Sequence, residues 1–325
     1  MQCRLRNIAT IVRMVSRRVL IHTTFVVLLP IIVVWFGVGV TATLGLVALG
    51  LLWRWLIVLS GIIAPEKTPD LVLHTMAISH FVEKVRWCMD RLDIDYTEKQ
   101  VGGTLSVFFT GRTVPQLRAK TGLVQTSIGN SPDILRYLWG RYFASHGERA
   151  SFLEPTAERL ELEKKLDRYG RILQVWIYSH ILEHRDLTLH FWGANNPRVP
   201  KWQRLALRAL FPLLAVLLRK SFAINPAHYA RAVSLINELL GEIDLLLADG
   251  RRSILGGDSV NYTDFTFAAF SGLWLQPKAY AGGMAEGNLI RAEQMPAAMR
   301  TDIERWSNDH PKAVALVTRL YADDR

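Results

Sequence analysis

The sequence predicts three parts in order: a transmembrane helical hairpin, a small α/β domain and a larger all-helical domain. Three observations predict this. Residues 19–63 hold one charge, Arg54, in 45 residues. Residues 71–143 alternate short apolar runs with segments of helical period. Beyond residue 150 the strand signals vanish and amphipathic segments follow one another.

At ~1.5 Å per residue, one helix over 19–63 would far exceed a hydrocarbon core of ~30 Å, so two spans of about twenty residues fit better. The only place to turn is GVGVTATLG, residues 37–45. Arg4, Arg6, Arg13, Arg17 and Arg18 form a basic segment over 1–18, and no acid precedes Glu66. The excess of positive charge places the N-terminus on the cytoplasmic side. Two spans return the chain, so a multi-pass membrane protein with soluble domains facing the cytoplasm is expected. One long tilted span would send those domains to the opposite side. A secretory leader fits poorly, because its apolar region should be about 7–15 residues and end at a small-residue cleavage site.

Charge excludes one class of partner. Six of the 39 Lys and Arg residues, and none of the 29 acids, lie before residue 66. The rest of the chain carries 33 bases against 29 acids, a net +4 that does not point to nucleic acid. The N-terminal excess suits anionic membrane lipid instead. The two cysteines, Cys3 and Cys88, supply no disulfide framework, CxxC pair or zinc pattern.

APEKTPD, residues 64–70, reads as a linker. LVLHTM (71–76) is a strand candidate. FVEKVRWCMDRLDI (81–94) places apolar residues at 82, 85, 88, 89 and 92, one face of a helix. DYTEKQV (95–101) alternates as a strand, TVPQL (113–117) is a shorter one, and SPDILRYLWGRYF (131–143) opens like a helix. A second linker covers 144–155. The helical part, 156–325, begins with a long helix over 156–184. It continues through an apolar segment at 201–222 that contains Pro212, and an amphipathic helix that stops at Gly250. Asn261 then caps a helix, with Asp264 three residues later.

These segments together resemble the glutathione S-transferase superfamily over residues 71–325. ISHFVEKVRW (78–87) is similar to the family segment S-P-F/Y-x-x-K-V-R, and TVPQL to its cis-proline loop. SIGNSPDILRYL (127–138) resembles E/D-S-x-x-I-x-x-Y-L, and LGGDSVNYTDFTFA (255–268) the G-D-x-x-T-x-A-D capping motif. The resemblance implies a thioredoxin-like glutathione-binding domain over 71–143, followed by the family's helical C-terminal domain. It implies glutathione as co-substrate, an apolar electrophilic small molecule as second substrate, no metal, and a homodimer among the partners.

The resemblance also assigns residues. Ser79 lies before the first helix, where a hydroxyl and the helix's free N–H groups can stabilise a thiolate; a plain helix cap is the alternative use. Thiols titrate near ~8.5, so glutathione needs such help at neutral pH. Val114 and Pro115 would form a cis step whose backbone aligns the tripeptide. Ser131, as helix cap, would receive the γ-glutamyl carboxylate. Two positions depart from the pattern. The usual acid before that serine is Asn130, which can accept from an ammonium but carries no charge. The usual cation before Val114 is Thr113, with Arg112 one position earlier. Ser79 is thus the catalytic candidate, and Val114, Pro115, Asn130, Ser131 and Arg112 the glutathione-binding candidates.

Other residues read more plainly. Cys88 falls on the apolar helix face, as a core thiol does. His80, in place of the usual proline, reads as a solvent-facing loop histidine. Trp176, His180 and His184 share one helical stripe, near Tyr178 and His190, and read as packing or pocket-lining groups. Residues 201–222 are too short in their uncharged run to span, which leaves a core helix or an interfacial one. Two functions are therefore open. One is a membrane-anchored glutathione transferase; the other is a non-catalytic membrane adaptor or ligand carrier of the same fold.

Overall fold

The structure is a computed structural model that describes residues 28–63, 68–105, 113–121, 124–257, 259–285 and 287–325. By contact it falls into two units. Of the described residues, one unit comprises those up to 68 together with those within 120–125; the other comprises those within 69–119 and 126–325.

In the first unit, α1 (Leu29–Val38) and α2 (Val40–Ile63) meet at Gly39, whose φ of 86° breaks the helix. Such a φ favours a residue without Cβ. Ile32, Phe36, Leu44, Leu49, Trp53 and Trp55 are exposed. The described helices have 10 and 24 residues. Among the described residues no helix is long and apolar enough to cross a membrane, so the transmembrane hairpin finds no support there. Residues 19–27 lie outside the described residues, as does the 1–18 segment.

The α/β layer of the second unit begins with β1 (Asp70–Thr75), α3 (His80–Arg91) and β2 (Thr97–Gln100). β1 and β2 are parallel, with Val72 opposite Thr97 and Thr75 opposite Gln100. Parallel neighbours need a crossover, which α3 supplies. Val82, Val85, Cys88, Met89 and Leu92, the apolar face read from the sequence, are fully buried. The K-V-R run has a physical use here. Lys84 is buried on Glu163 at 2.8 Å and Asp167 at 3.3 Å. Arg86 takes both oxygens of Glu98, at 3.0 and 2.8 Å, and one of Glu83 at 2.8 Å.

Beyond Pro115 come β3 (Gln116–Thr121), β4 (Val124–Gly129) and α4 (Ser131–His146), and the sheet order is β2-β1-β3-β4. β4 is a correction, because the sequence predicts only a connection there. As an edge strand it exposes Gln125, Thr126 and Ser127, and so lacks an apolar alternation to read. The strand expected over 113–117 starts instead at Gln116, after the proline.

The helical layer comprises α5 (Ala157–Ile181), α6 (Arg185–Phe191), α7 (Lys201–Ser221), α8 (Pro226–Leu246), α9 (Tyr262–Leu275), α10 (Ala297–Asp309) and α11 (Pro311–Asp323). Its centre is α9, buried from Tyr262 to Trp274. Asn261 Oδ1 accepts from the Thr263 N–H at 3.0 Å, and Asp264 Oδ2 accepts from the Asn261 N–H at 2.8 Å, the capping box expected from the sequence. Asp264 also accepts from the Ser253 hydroxyl and the Ile254 N–H, both at 2.8 Å, which ties the preceding loop to the helix start. One core cluster joins the two layers. Trp87 of α3 stacks on Phe265 of α9 at 5.2 Å, beside Tyr321 of α11.

Candidate functional site

Three loops at one end of the α/β layer and one face of α5 enclose a cleft of about 370 Å³. From the α/β layer it takes Met76, Ser79, Thr113, Val114, Pro115, Asn130 and Ser131; from α5 it takes Asp167, Arg171, Gln174 and Tyr178. Five of the six residues singled out from the sequence thus share one cleft wall. The sixth, Arg112, lies outside the described residues.

Ser79 is the N-cap position of α3. Its carbonyl receives the N–H groups of Val82 and Glu83 at 3.0 and 2.9 Å, but its hydroxyl makes no cap hydrogen bond. The side chain is therefore not committed to the helix. The peptide between Val114 and Pro115 is cis. Asn130 stands at φ 80° and ψ 129°, outside the left-handed helical region and strained for a residue with a Cβ. Its carbonyl receives the Ile134 N–H at 3.1 Å, which makes Asn130 the cap position of α4 and Ser131 the first helical residue. The expectation that Ser131 caps this helix is corrected by one position. The Ser131 hydroxyl is buried without a hydrogen-bond partner, while the Asn130 amide lies 3.4 Å from Asp133. With the first N–H groups of α4, the Ser131 hydroxyl forms a donor set suited to a carboxylate.

On the opposite wall, sequence reasoning read Tyr178 as a packing or pocket-lining group but missed Asp167, Arg171 and Gln174. Asp167, Arg171, Gln174 and Tyr178 follow one another at steps of four, three and four, so they form a single stripe of α5. That spacing was available as a signal. Burial pushes the Asp167 carboxyl up, and the Lys84 ammonium at 3.3 Å opposes the shift.

His80 is not the solvent-facing loop residue expected. It is the first residue of α3, buried against Phe81 and Phe270, with Nε2 2.9 Å from the Gly170 carbonyl oxygen. Burial lowers its pKa to about 4, the Gly170 contact opposing. Cys88 is a buried free thiol, pushed up to about 12 by burial. Trp176 does not line the cleft: its indole N–H donates to Asp302 at 2.9 Å inside the core. The histidine stripe breaks because α5 ends at Ile181, leaving His184 beyond it. Among the described residues no three His, Cys, Asp or Glu side chains are grouped to hold a metal ion.

Residues 73–146 match the sequence profile of the glutathione S-transferase N-terminal domain. A glutathione transferase from Phanerochaete chrysosporium superposes with a TM-score of 0.50 at 13% identity, over 80% of this chain and 98% of that one. The chain has the glutathione S-transferase fold. Two further glutathione S-transferase structures are similar. That from Methylobacterium radiotolerans, in complex with glutathione sulfonate, has 16% identity and a TM-score of 0.47 over 78% of this chain and 91% of that one. That from Methylobacillus flagellatus, with glutathione bound, has 13% identity and a TM-score of 0.43 over 78% and 98%. No curated protein sequence matches the chain. In this glutathione S-transferase fold the cleft joins the thioredoxin-like layer to the first long helix of the helical layer.

Proposed function

We propose that the cleft binds glutathione and promotes attack of its thiolate on an apolar electrophile. The observation that carries this reading is the convergence of Ser79, Val114–Pro115, Asn130 and Ser131 in one cleft from three separate segments. In it, the Ser131 hydroxyl and the first N–H groups of α4 take the γ-glutamyl carboxylate. Asn130 accepts from the neighbouring ammonium through its amide oxygen. The Val114 backbone aligns the cysteine of the tripeptide. The uncommitted Ser79 hydroxyl donates to sulfur and favours its ionised form. The sulfur lone pair forms the C–S bond, and the electrophile's leaving group or π electrons carry the charge away. Arg171, Gln174 and Tyr178 face the incoming electrophile.

The adaptor or carrier reading has one observation in its favour. Asn130 brings no charge to the cleft. Retention of the detergent-solubilised full chain on immobilised glutathione, followed by a conjugation assay, separates the two. Retention with turnover supports the transferase. Retention without turnover supports the carrier, and loss of both removes glutathione from either reading.

We further propose attachment to a membrane through residues 19–63, with the helical and α/β layers facing the cytoplasm. The exposed apolar side chains of α1 and α2, the single charge Arg54 and the five leading arginines support it. Resistance to alkaline extraction and cysteine accessibility at residues 10 and 150 test it. Extraction at high pH, or labelling of the two sites from opposite sides, overturns it.

A further inference from the structure

We infer that α7 is a docking helix for an anionic bilayer surface, lying flat on it rather than crossing it. One side of α7 packs into the helical layer through Gln203, Leu207, Phe211, Leu214 and Leu218, all buried. The other side leaves Leu205, Leu210, Leu213, Val216 and Leu217 exposed, at 42–56% of their surface. An apolar face over residues 205–217, about 18 Å of this 21-residue helix, exceeds the scattered apolar contacts of an ordinary surface.

Charge identifies the occupant. The sequence KWQRLALRALFPLLAVLLRKS contains five cations and no acid. Lys201, Arg204 and Arg208 stand in its first half, and Arg219 and Lys220 end it. Arg219 is paired with Glu183 at 3.3 Å and Arg208 is held by Ala194 and Asn195, which leaves exposed Lys201 and Lys220 at the two ends to meet headgroups. Apolar side chains in the acyl boundary with cations at headgroup level are the pattern of an interfacial helix, and each cation near anionic lipid favours binding. A second copy of this face fits badly, because a two-fold contact would set the same cations against each other. Half of the helix circumference is held by the protein core, which excludes a spanning orientation. This inference does not depend on glutathione, and it shares only the bilayer with attachment through residues 19–63.

The test therefore reads the position of α7 itself, not membrane association. The full chain with Cys3→Ser and Leu213→Cys carries an environment-sensitive fluorophore at residue 213; Cys88 is buried and does not compete. The chain is reconstituted in phosphatidylcholine vesicles with and without phosphatidylglycerol, with doxyl-labelled lipid as quencher. A second label at Glu161→Cys, in an exposed polar pair, is the control. Quenching at 213 and not at 161, stronger with phosphatidylglycerol, is expected. Replacing exposed Lys201 and Lys220 by Gln should lower the docking equilibrium constant roughly 25-fold, from about fivefold per surface cation. Absence of quenching at 213 overturns the proposal and leaves an acidic protein as occupant. Equal quenching in both lipids, unchanged by Lys201→Gln and Lys220→Gln, overturns the anionic-surface assignment. Cross-linking of 213 to 213 between copies in place of quenching assigns the face to a second chain.

Discussion

His80 donates from Nε2 to the carbonyl oxygen of Gly170, 90 residues away, at 2.9 Å. The bond pins the start of α3, one residue after Ser79, to the middle of α5. It joins two walls of the cleft through a neutral imidazole. Burial holds that imidazole at a pKa of about 4 against 6.5 for an unperturbed one.

Stability should therefore fall with acidity. Between those two pKa values the unfolded chain binds the proton and the folded chain does not. The His80 contribution is complete above pH ~6.5 and is lost as pH falls toward 4, a total of about 3 kcal/mol, with about 2 kcal/mol gone by pH 5. Denaturant midpoints at pH 7 and pH 5 read this. His80→Gln should flatten the difference, and an equal drop in wild type and variant would show that His80 is not its source.

Gly170 and Gly140 should respond to alanine with opposite signs. A Cβ at Gly170 would lie 2.7 Å from Phe270 and 2.9 Å from Phe81, while at Gly140 nothing lies within 4 Å. Overpacking costs about 1–3 kcal/mol, against a helix-propensity gain of up to about 1 kcal/mol. Gly170→Ala should lower the melting temperature and, by moving Phe81, distort the cleft. Gly140→Ala should raise it.

Lys84→Met should cost about 3–5 kcal/mol, because it leaves Glu163 buried beside Asp167 without the cation between them. Adding Glu163→Gln should recover part of that loss. Chemical denaturation of the single and double variants measures both steps.

Ser79→Ala should leave stability within about 0.5 kcal/mol, since the hydroxyl makes no cap bond. Its effect should appear in turnover. Loss of one hydrogen bond to a thiolate, about 1.5–3 kcal/mol, moves the pH–rate profile alkaline by roughly one to two units. A destabilised variant with an unmoved profile would make Ser79 a structural cap.

Asn130→Asp should tighten glutathione binding by about fivefold, because a carboxylate bonds an ammonium more strongly than an amide does, a gain reduced by repulsion from the Asp133 carboxylate 3.4 Å from the present amide. A negative charge suits a helix start. Asn130→Ala should instead weaken glutathione binding, because the side-chain acceptor for the ammonium is lost. Titration calorimetry of both variants with glutathione, beside thermal melts, checks the pair.

Local patterns were legible in the sequence. The buried face of α3 follows from residues three and four apart. The capping box at Asn261 and Asp264 spans four residues and closes on itself. The approach of Ser79, Val114 and Ser131 was legible through four family-like motifs in order, though nothing local brings those segments together. Tertiary structure alone decided the rest. β4 is a strand because β3 offers it hydrogen bonds, not because its polar residues prefer one. His80 is buried because Phe270 and Gly170 arrive from distant parts of the chain. Ser131 is the first helical residue and not the cap because Asn130, at positive φ, takes the cap position. Asp167, Arg171, Gln174 and Tyr178 formed a readable stripe, but a stripe acquires a meaning only when a facing wall exists. Periodicity and capping act over one or two turns, so a sequence carries them openly. Burial, edge position and the far wall of a cleft depend on which segments meet, and only the packed chain sets those.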